Sequence, residues 1–156
     1  MIMPNLVKMD KTDRDLLNRI QSRFPVSERP YKDIGDRMGL PEQEVLDRLI
    51  RLKKEGAIRR IGANFYPEKL GYVSTLCAAR VPEEKIDAFA AEVNRHTGVT
   101  HNYQRENRYN IWFTFIAPSR EVIAENLRKI AVKTGVSDIL NLPATRVFKI
   151  KAKFDL

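Results

Sequence analysis

The chain has 156 residues, 43% hydrophobic and 31% charged, with 28 Lys and Arg against 20 Asp and Glu for a formal net charge of +8. That is enough for one ordinary domain or two small ones, too little for a large multidomain enzyme, and too apolar for a disordered chain. No stretch approaches the ~20 apolar residues that span a bilayer, the start Met1-Ile2-Met3-Pro4-Asn5 lacks the pattern of a secretion signal, and the single Cys77 excludes an internal disulfide. A cytoplasmic protein without membrane attachment is expected. The excess positive charge calls for acidic partners, yet residues 1–66 and 67–156 each hold 14 basic and 10 acidic residues, +4 apiece. A basic DNA-binding head on a neutral body is not what this distribution describes.

In chain order, Leu16, Leu17, Ile20 and Phe24 recur at helical spacing between a cap at Asp10 or Thr12 and a stop at Pro25. A second, short helix is predicted from about Tyr31 to Met38, with Pro30 at its start and Gly39 after its end. A third opens at Leu40-Pro41-Glu42, places Val45, Leu46, Leu49 and Leu52 on one face, and ends at Gly56. The alternation in Ala57-Ile58-Arg59-Arg60-Ile61-Gly62-Ala63-Asn64-Phe65 predicts a β-wing, completing a winged helix-turn-helix. Beyond the break near Pro67 come a strand over 72–81, an amphipathic helix over 83–96, a strand pair over 99–106 and 109–117, a helix over 119–133 and a last strand within 139–151. That order, βαββαβ, is a ferredoxin-like sandwich with two helices on one face of a four-stranded antiparallel sheet. The expected fold is therefore α+β, with a winged helix-turn-helix domain over residues 1–66 and a ferredoxin-like effector or catalytic domain over 67–156. An open sheet face usually meets a ligand or a partner, so at least a dimer is expected.

From Met9 onward this arrangement resembles the Lrp/AsnC transcription regulators, with Asp10-Lys11-Thr12-Asp13-Arg14-Asp15-Leu16-Leu17 and Leu49-Ile50-Arg51-Leu52-Lys53-Lys54-Glu55-Gly56-Ala57-Ile58 close to that family's opening and third-helix patterns. Typical regulators, however, carry a Thr-Gly-x-Tyr-Asp type turn between the second and third strands. Here the region reads Gly98-Val99-Thr100-His101-Asn102-Tyr103-Gln104-Arg105-Glu106-Asn107-Arg108-Tyr109-Asn110-Ile111-Trp112-Phe113-Thr114-Phe115. It resembles the His-Asn-Tyr-x-Arg-Glu-x-x-Tyr-Asn-x-Trp-Phe-Thr block of the siroheme decarboxylases, Lrp-like proteins of the alternative heme and heme d1 pathways. The resemblance implies removal of carbon dioxide from the C12 and C18 acetates of siroheme to give didecarboxysiroheme, with no added cofactor. It also implies a homologous Lrp-like partner subunit, in a heterodimer or else a homodimer.

The residues suit that chemistry. Siroheme is a flat iron tetrapyrrole with eight carboxylates, which call for cationic forks and an aromatic bed. Arginine meets carboxylates in bidentate geometry, and the block sets Arg105 and Arg108 beside Tyr103, Tyr109, Asn110 and Trp112. The carbanion left by decarboxylation needs a proton, and His101 is one of two histidines in the chain. His101 reads as that acid, as an axial ligand to the substrate's iron, or as a strand histidine bonded within a subunit interface. His96, near a helix end, reads as a dipole partner, and Cys77 as a packed core thiol.

Strand register decides between ligand surface and core. A turn at Asn107-Arg108 pairs Arg105 with Asn110, Tyr103 with Trp112 and His101 with Thr114 on one face; a one-residue slip pairs Tyr103 with Ile111 and His101 with Phe113, under the helices. Arg59 and Arg60 read as phosphate contacts or solvated charge, or less readily as a carboxylate clamp, and Arg146, Lys149, Lys151 and Lys153 as a basic final strand that protects an edge or reaches propionates. Two competing functions are a DNA-binding regulator and a heme-responsive sensor. The third helix speaks against the first, because Glu42, Gln43, Glu44 and Asp47 occupy the end that a recognition helix turns to DNA. Weak or no DNA binding is expected.

Overall fold

The computed structural model describes residues 6–149 and 153–156. It forms two compact units, one running to Ala63 and taking in the segment from Lys149, the other Asn64–Phe148. The sequence reading divides the chain at residue 66 and leaves the C-terminal segment with the second unit. Compactness places that segment with the first, where the carboxamides of Gln21 and Asn18 bond the main chain of Phe154 and Leu156.

The first unit is a helix-turn-helix of α1 (Lys11–Ile20), α2 (Pro30–Met38) and α3 (Glu42–Lys54). Asp10 caps α1 reciprocally with Asp13, each side chain accepting the other's backbone N–H. Proline opens α2 and Gly39, at φ 69°, closes it. Gly35 permits the tight turn into α3, since a Cβ there would stand 2.5 Å from the carbonyl oxygen of Leu40. Leu16, Ile34, Val45, Leu49, Leu52 and Ile58 form the core. Beneath it, Asp13 is 1% exposed and is held by Arg48 at 2.9 Å and Arg51 at 2.5 Å.

Two expectations for this unit change. Helix α1 stops at Ile20, ahead of Phe24, which packs edge-on to Tyr31 instead. The wing segment 57–65 forms no strand: Ile58 enters the core while Ile61 and Phe65 stay exposed. With one apolar side chain buried, the segment has little face to pair on, and an isolated hairpin is marginal.

The second unit is the expected βαββαβ. Its strands are β1 (Val73–Ala79), β2 (Val99–Gln104), β3 (Ile111–Ala117) and β4 (Ile139–Leu142), with helices α4 (Ile86–Asn94) and α5 (Arg120–Thr134). The sheet is antiparallel in the order β2-β3-β1-β4. Cys77, Ala79, Ile111, Phe113 and Phe115 pack against Phe89, Val93, Ile123, Leu127 and Ile130. Burial alternates strictly along β3, the period-2 pattern of a sheet covered on one side. Strand β4 ends at Leu142, before Pro143, so Arg146 and Lys149 lie beyond it and do not extend a basic strand. Lys153 lies in the segment that groups with the first unit, and Lys151 lies outside the described residues.

Candidate substrate site on the open sheet face

The register that gathers the block on the open face is the one adopted. Strand β2 pairs His101 with Thr114 and Tyr103 with Trp112, while the Arg105 N–H donates to the Asn110 carbonyl at 2.7 Å. Across β1 and β4 the rows continue as His101, Thr114, Leu76, Leu142 and as Tyr103, Trp112, Ala78, Leu140. The connection is a four-residue bend over 106–109, longer than a two-residue turn. Asn102, between the two cleft residues of β2, turns the other way and bonds Asn94 of α4 at 3.0 Å.

This alternation depends on a bulge between Val99 and His101. Val99 pairs with Phe115 and packs against the core. In a regular strand residues 99 and 101 share a face, so His101 would follow Val99 inward. The extra residue, Thr100, breaks that parity and delivers His101 to the open side.

A cleft of about 630 Å³ results, lined by Leu76, His101, Tyr103, Arg105, Glu106, Asn107, Trp112 and Thr114 among others. The His101 and Tyr103 rings stack with centroids 5.9 Å apart, and Tyr103 is 52% exposed. The Arg105 guanidinium lies 6.0 Å from the Trp112 ring centre and that of Arg108 lies 5.8 Å from Tyr109. Both arginines are exposed and can meet anions while each guanidinium lies over an aromatic ring.

Two of the predicted site residues, Asn110 and Tyr109, make bonds within the fold. Asn110 directs its carboxamide at the backbone of Val81, accepting from N–H at 2.9 Å and donating to C=O at 2.8 Å, and its own N–H donates to Ala79. Tyr109 donates its hydroxyl to Asp138 at 3.0 Å, and its carbonyl accepts from the Trp112 indole at 2.7 Å. Both hold the arginine-bearing bend in place. Thr114 takes the place beside His101 that the first register gives it, while the sequence reading misses Leu76 and Asp138; Leu76 follows once register is known, whereas Asp138 carries no local signal.

The other candidates fall outside the cleft. Cys77 is buried and its thiol is pushed up to about 12 by burial, so it is inert packing. The His96 ring lies 5.5 Å from Phe115 just past α4. Arg59 and Arg60 line a separate hollow of about 330 Å³ in the helix-turn-helix unit, with Leu17, Phe24 and Phe154. Among the described residues no cluster of His, Cys, Asp or Glu could hold a metal ion.

Residues 13–59 match a family model described as the siroheme decarboxylase NirDL-like HTH domain, and residues 69–149 one described as the AsnC-like ligand binding domain. The siroheme decarboxylase alpha subunit of Desulfovibrio desulfuricans is 60% identical over 149 residues, covering 96% of this chain and 86% of that protein. A crystal structure of the siroheme decarboxylase NirDL in co-complex with an iron-uroporphyrin III analogue is 29% identical, with a TM-score of 0.67, over 93% of this chain and 48% of that one. The leucine response regulatory protein LrpA of Mycobacterium tuberculosis gives a TM-score of 0.78 at 19% identity, over 95% of this chain and 100% of that one, a likeness of fold alone.

Proposed function

The chain belongs to the siroheme decarboxylase family, and on that premise we propose that its open sheet face binds siroheme and removes carbon dioxide from the C12 and C18 acetate side chains, giving didecarboxysiroheme. The observation that carries this reading is the shared face of His101, Tyr103, Arg105 and Trp112 around one cleft. Its volume falls within the ~300–1,000 Å³ usual for ligand sites. Tyr103 and Trp112 offer a bed for the flat ring, and Arg105 and Arg108 offer forks for its carboxylates.

In the reaction the bond between the acetate methylene and its carboxylate breaks, carbon dioxide leaves, and the electron pair stays on the methylene carbon, spread into the electron-poor macrocycle. A proton from the His101 imidazole then converts that carbon to methyl, and the exposed ring recovers its proton from water. The iron enters with the substrate, and the scheme needs no added cofactor.

DNA reading is disfavoured because Arg48 and Arg51, two of the four basic residues of α3, are bonded to Asp13, with Arg48 also on Asp10 and Glu44 and Arg51 on Glu55. The partner is a homologous Lrp-like subunit, which supplies a cover for the exposed Leu76 and Leu142 of the same sheet face. No helix among the described residues is long and apolar enough to cross a membrane, and the cytoplasm is the proposed location.

Anaerobic incubation of siroheme with the chain and its homologous partner tests the reading. Mass spectrometry is expected to show a product lighter by two carbon dioxide molecules. Unchanged siroheme with both subunits present would overturn it.

A further inference from the structure

We infer that Thr100 is a positioning residue for His101: its hydroxyl occupies the Nδ1 edge of the ring and leaves Nε2 as the nitrogen offered to the cleft. This rests on the reading above, in which His101 protonates the substrate carbon, and adds to it the group that holds the histidine's orientation.

Two observations carry the inference. The first is a hydrogen bond of 3.0 Å between Thr100 Oγ1 and His101 Nδ1. Neighbouring side chains of a regular strand point to opposite faces and cannot meet in this way. The second is the bulge, where residues 99–101 of β2 span only Phe115 and Thr114 of β3. It gives up one ladder position and brings Thr100 round to the side of its neighbour. A single distortion thus turns the imidazole outward and supplies its hydrogen-bond partner.

The bulge itself is held by the fold. Gly98, just before it, crosses β3 so closely that a Cβ would lie 2.0 Å from the Ile116 carbonyl oxygen, while Ile116 N–H donates to the Gly98 carbonyl at 2.8 Å. Val99 anchors the strand in the core. Thr100 therefore stands between two fixed points, and among the described residues Nε2 has no hydrogen-bond partner. A histidine whose Nδ1 edge is engaged keeps its ring orientation and turns Nε2 to the cleft, as outer hydrogen-bond partners commonly orient a working imidazole.

The test compares Thr100→Val, which keeps shape and removes the hydroxyl, with Thr100→Ser, which keeps the hydroxyl. Ring 15N NMR of His101 in the full chain reports the Nδ1 hydrogen bond without any substrate, and steady-state kinetics with the partner subunit separate kcat from KM. The expected result is a shifted Nδ1 resonance in Thr100→Val, with kcat lowered roughly tenfold and KM within about twofold, and restoration of both by Thr100→Ser. An unchanged ring spectrum in Thr100→Val overturns the inference, as does a Thr100→Ser protein as impaired as Thr100→Val. If the wild-type pair leaves siroheme intact while the ring spectrum still responds to Thr100, the hydroxyl–imidazole contact stands and it is the decarboxylase reading that fails.

Discussion

His101 is exposed, stacks on one neighbour and bonds another through a hydroxyl, and it contributes nothing to the packed core. Its replacement should separate activity from stability. His101→Ala is expected to lower kcat by at least about 100-fold, the low end for a lost general acid, while thermal unfolding shifts by no more than about 0.5 kcal/mol, as at other surface sites. Measuring both on one preparation checks this, and full activity in the variant would reject the role. An iron spectrum of the bound substrate that changes on the same substitution would assign His101 to the metal instead. Arg105 makes a second case, since lysine keeps charge and loses the planar fork that lies over Trp112. Arg105→Lys should raise KM roughly tenfold and leave kcat nearly intact, as read from initial rates. These residue types could be singled out from the sequence because their chemistry is local: a histidine, two arginines and three aromatics within twelve positions. The quieter roles of Asn110 and Tyr109 could not, because each depends on a partner about 29 positions away in the chain, Val81 for one and Asp138 for the other.

At the scale of elements, the βαββαβ order and the three helices follow from periodicity and caps, which act within a few residues. The last strand follows too, but it stops at Leu142, short of the basic residues; the wing does not follow, since alternation alone cannot say whether a pairing partner is present, and 57–65 finds none. Register was undecidable for the same reason. The signal lies in the bulge at Thr100, and a bulge is chosen by the competing demands of Val99 and His101 rather than by a turn dipeptide. The bend over 106–109 is braced instead by Asn110. Asn110→Ala would strand the Val81 N–H and C=O, a loss of about 1–3 kcal/mol for a polar group left unpaired. Urea unfolding should show it, together with a raised KM as the arginines lose their fixed station.

For the whole molecule, the even split of charge disfavours a DNA-binding head, and two arginines of α3, Arg48 and Arg51, are engaged with acids of the same unit. Burial would push the Asp13 carboxyl up, but hydrogen bonds from Arg51, Arg48 and the Asp10 backbone outweigh it and hold the group below its ordinary value of 3.8. Protonation therefore favours the unfolded state. The contribution is present in full above the ordinary value and fades as pH falls below about 4 through the depressed one. An acid titration followed by circular dichroism should find Asp13→Asn less stable than wild type at pH 7, with the difference shrinking toward pH 3. Electrophoretic mobility at physiological salt should show weak, sequence-indifferent DNA binding at most.

The acid buried in the first turn of α1 also bears on whether this scaffold could read DNA. Freeing Arg48 and Arg51 for a phosphate backbone means removing Asp13, and that change leaves two guanidinium groups without their anchor at the base of the helix that would have to dock. A lone substitution therefore loosens the reading head in the act of unlocking it. Only a paired change, one that rebuilds the support while releasing the cations, opens a route to the operator.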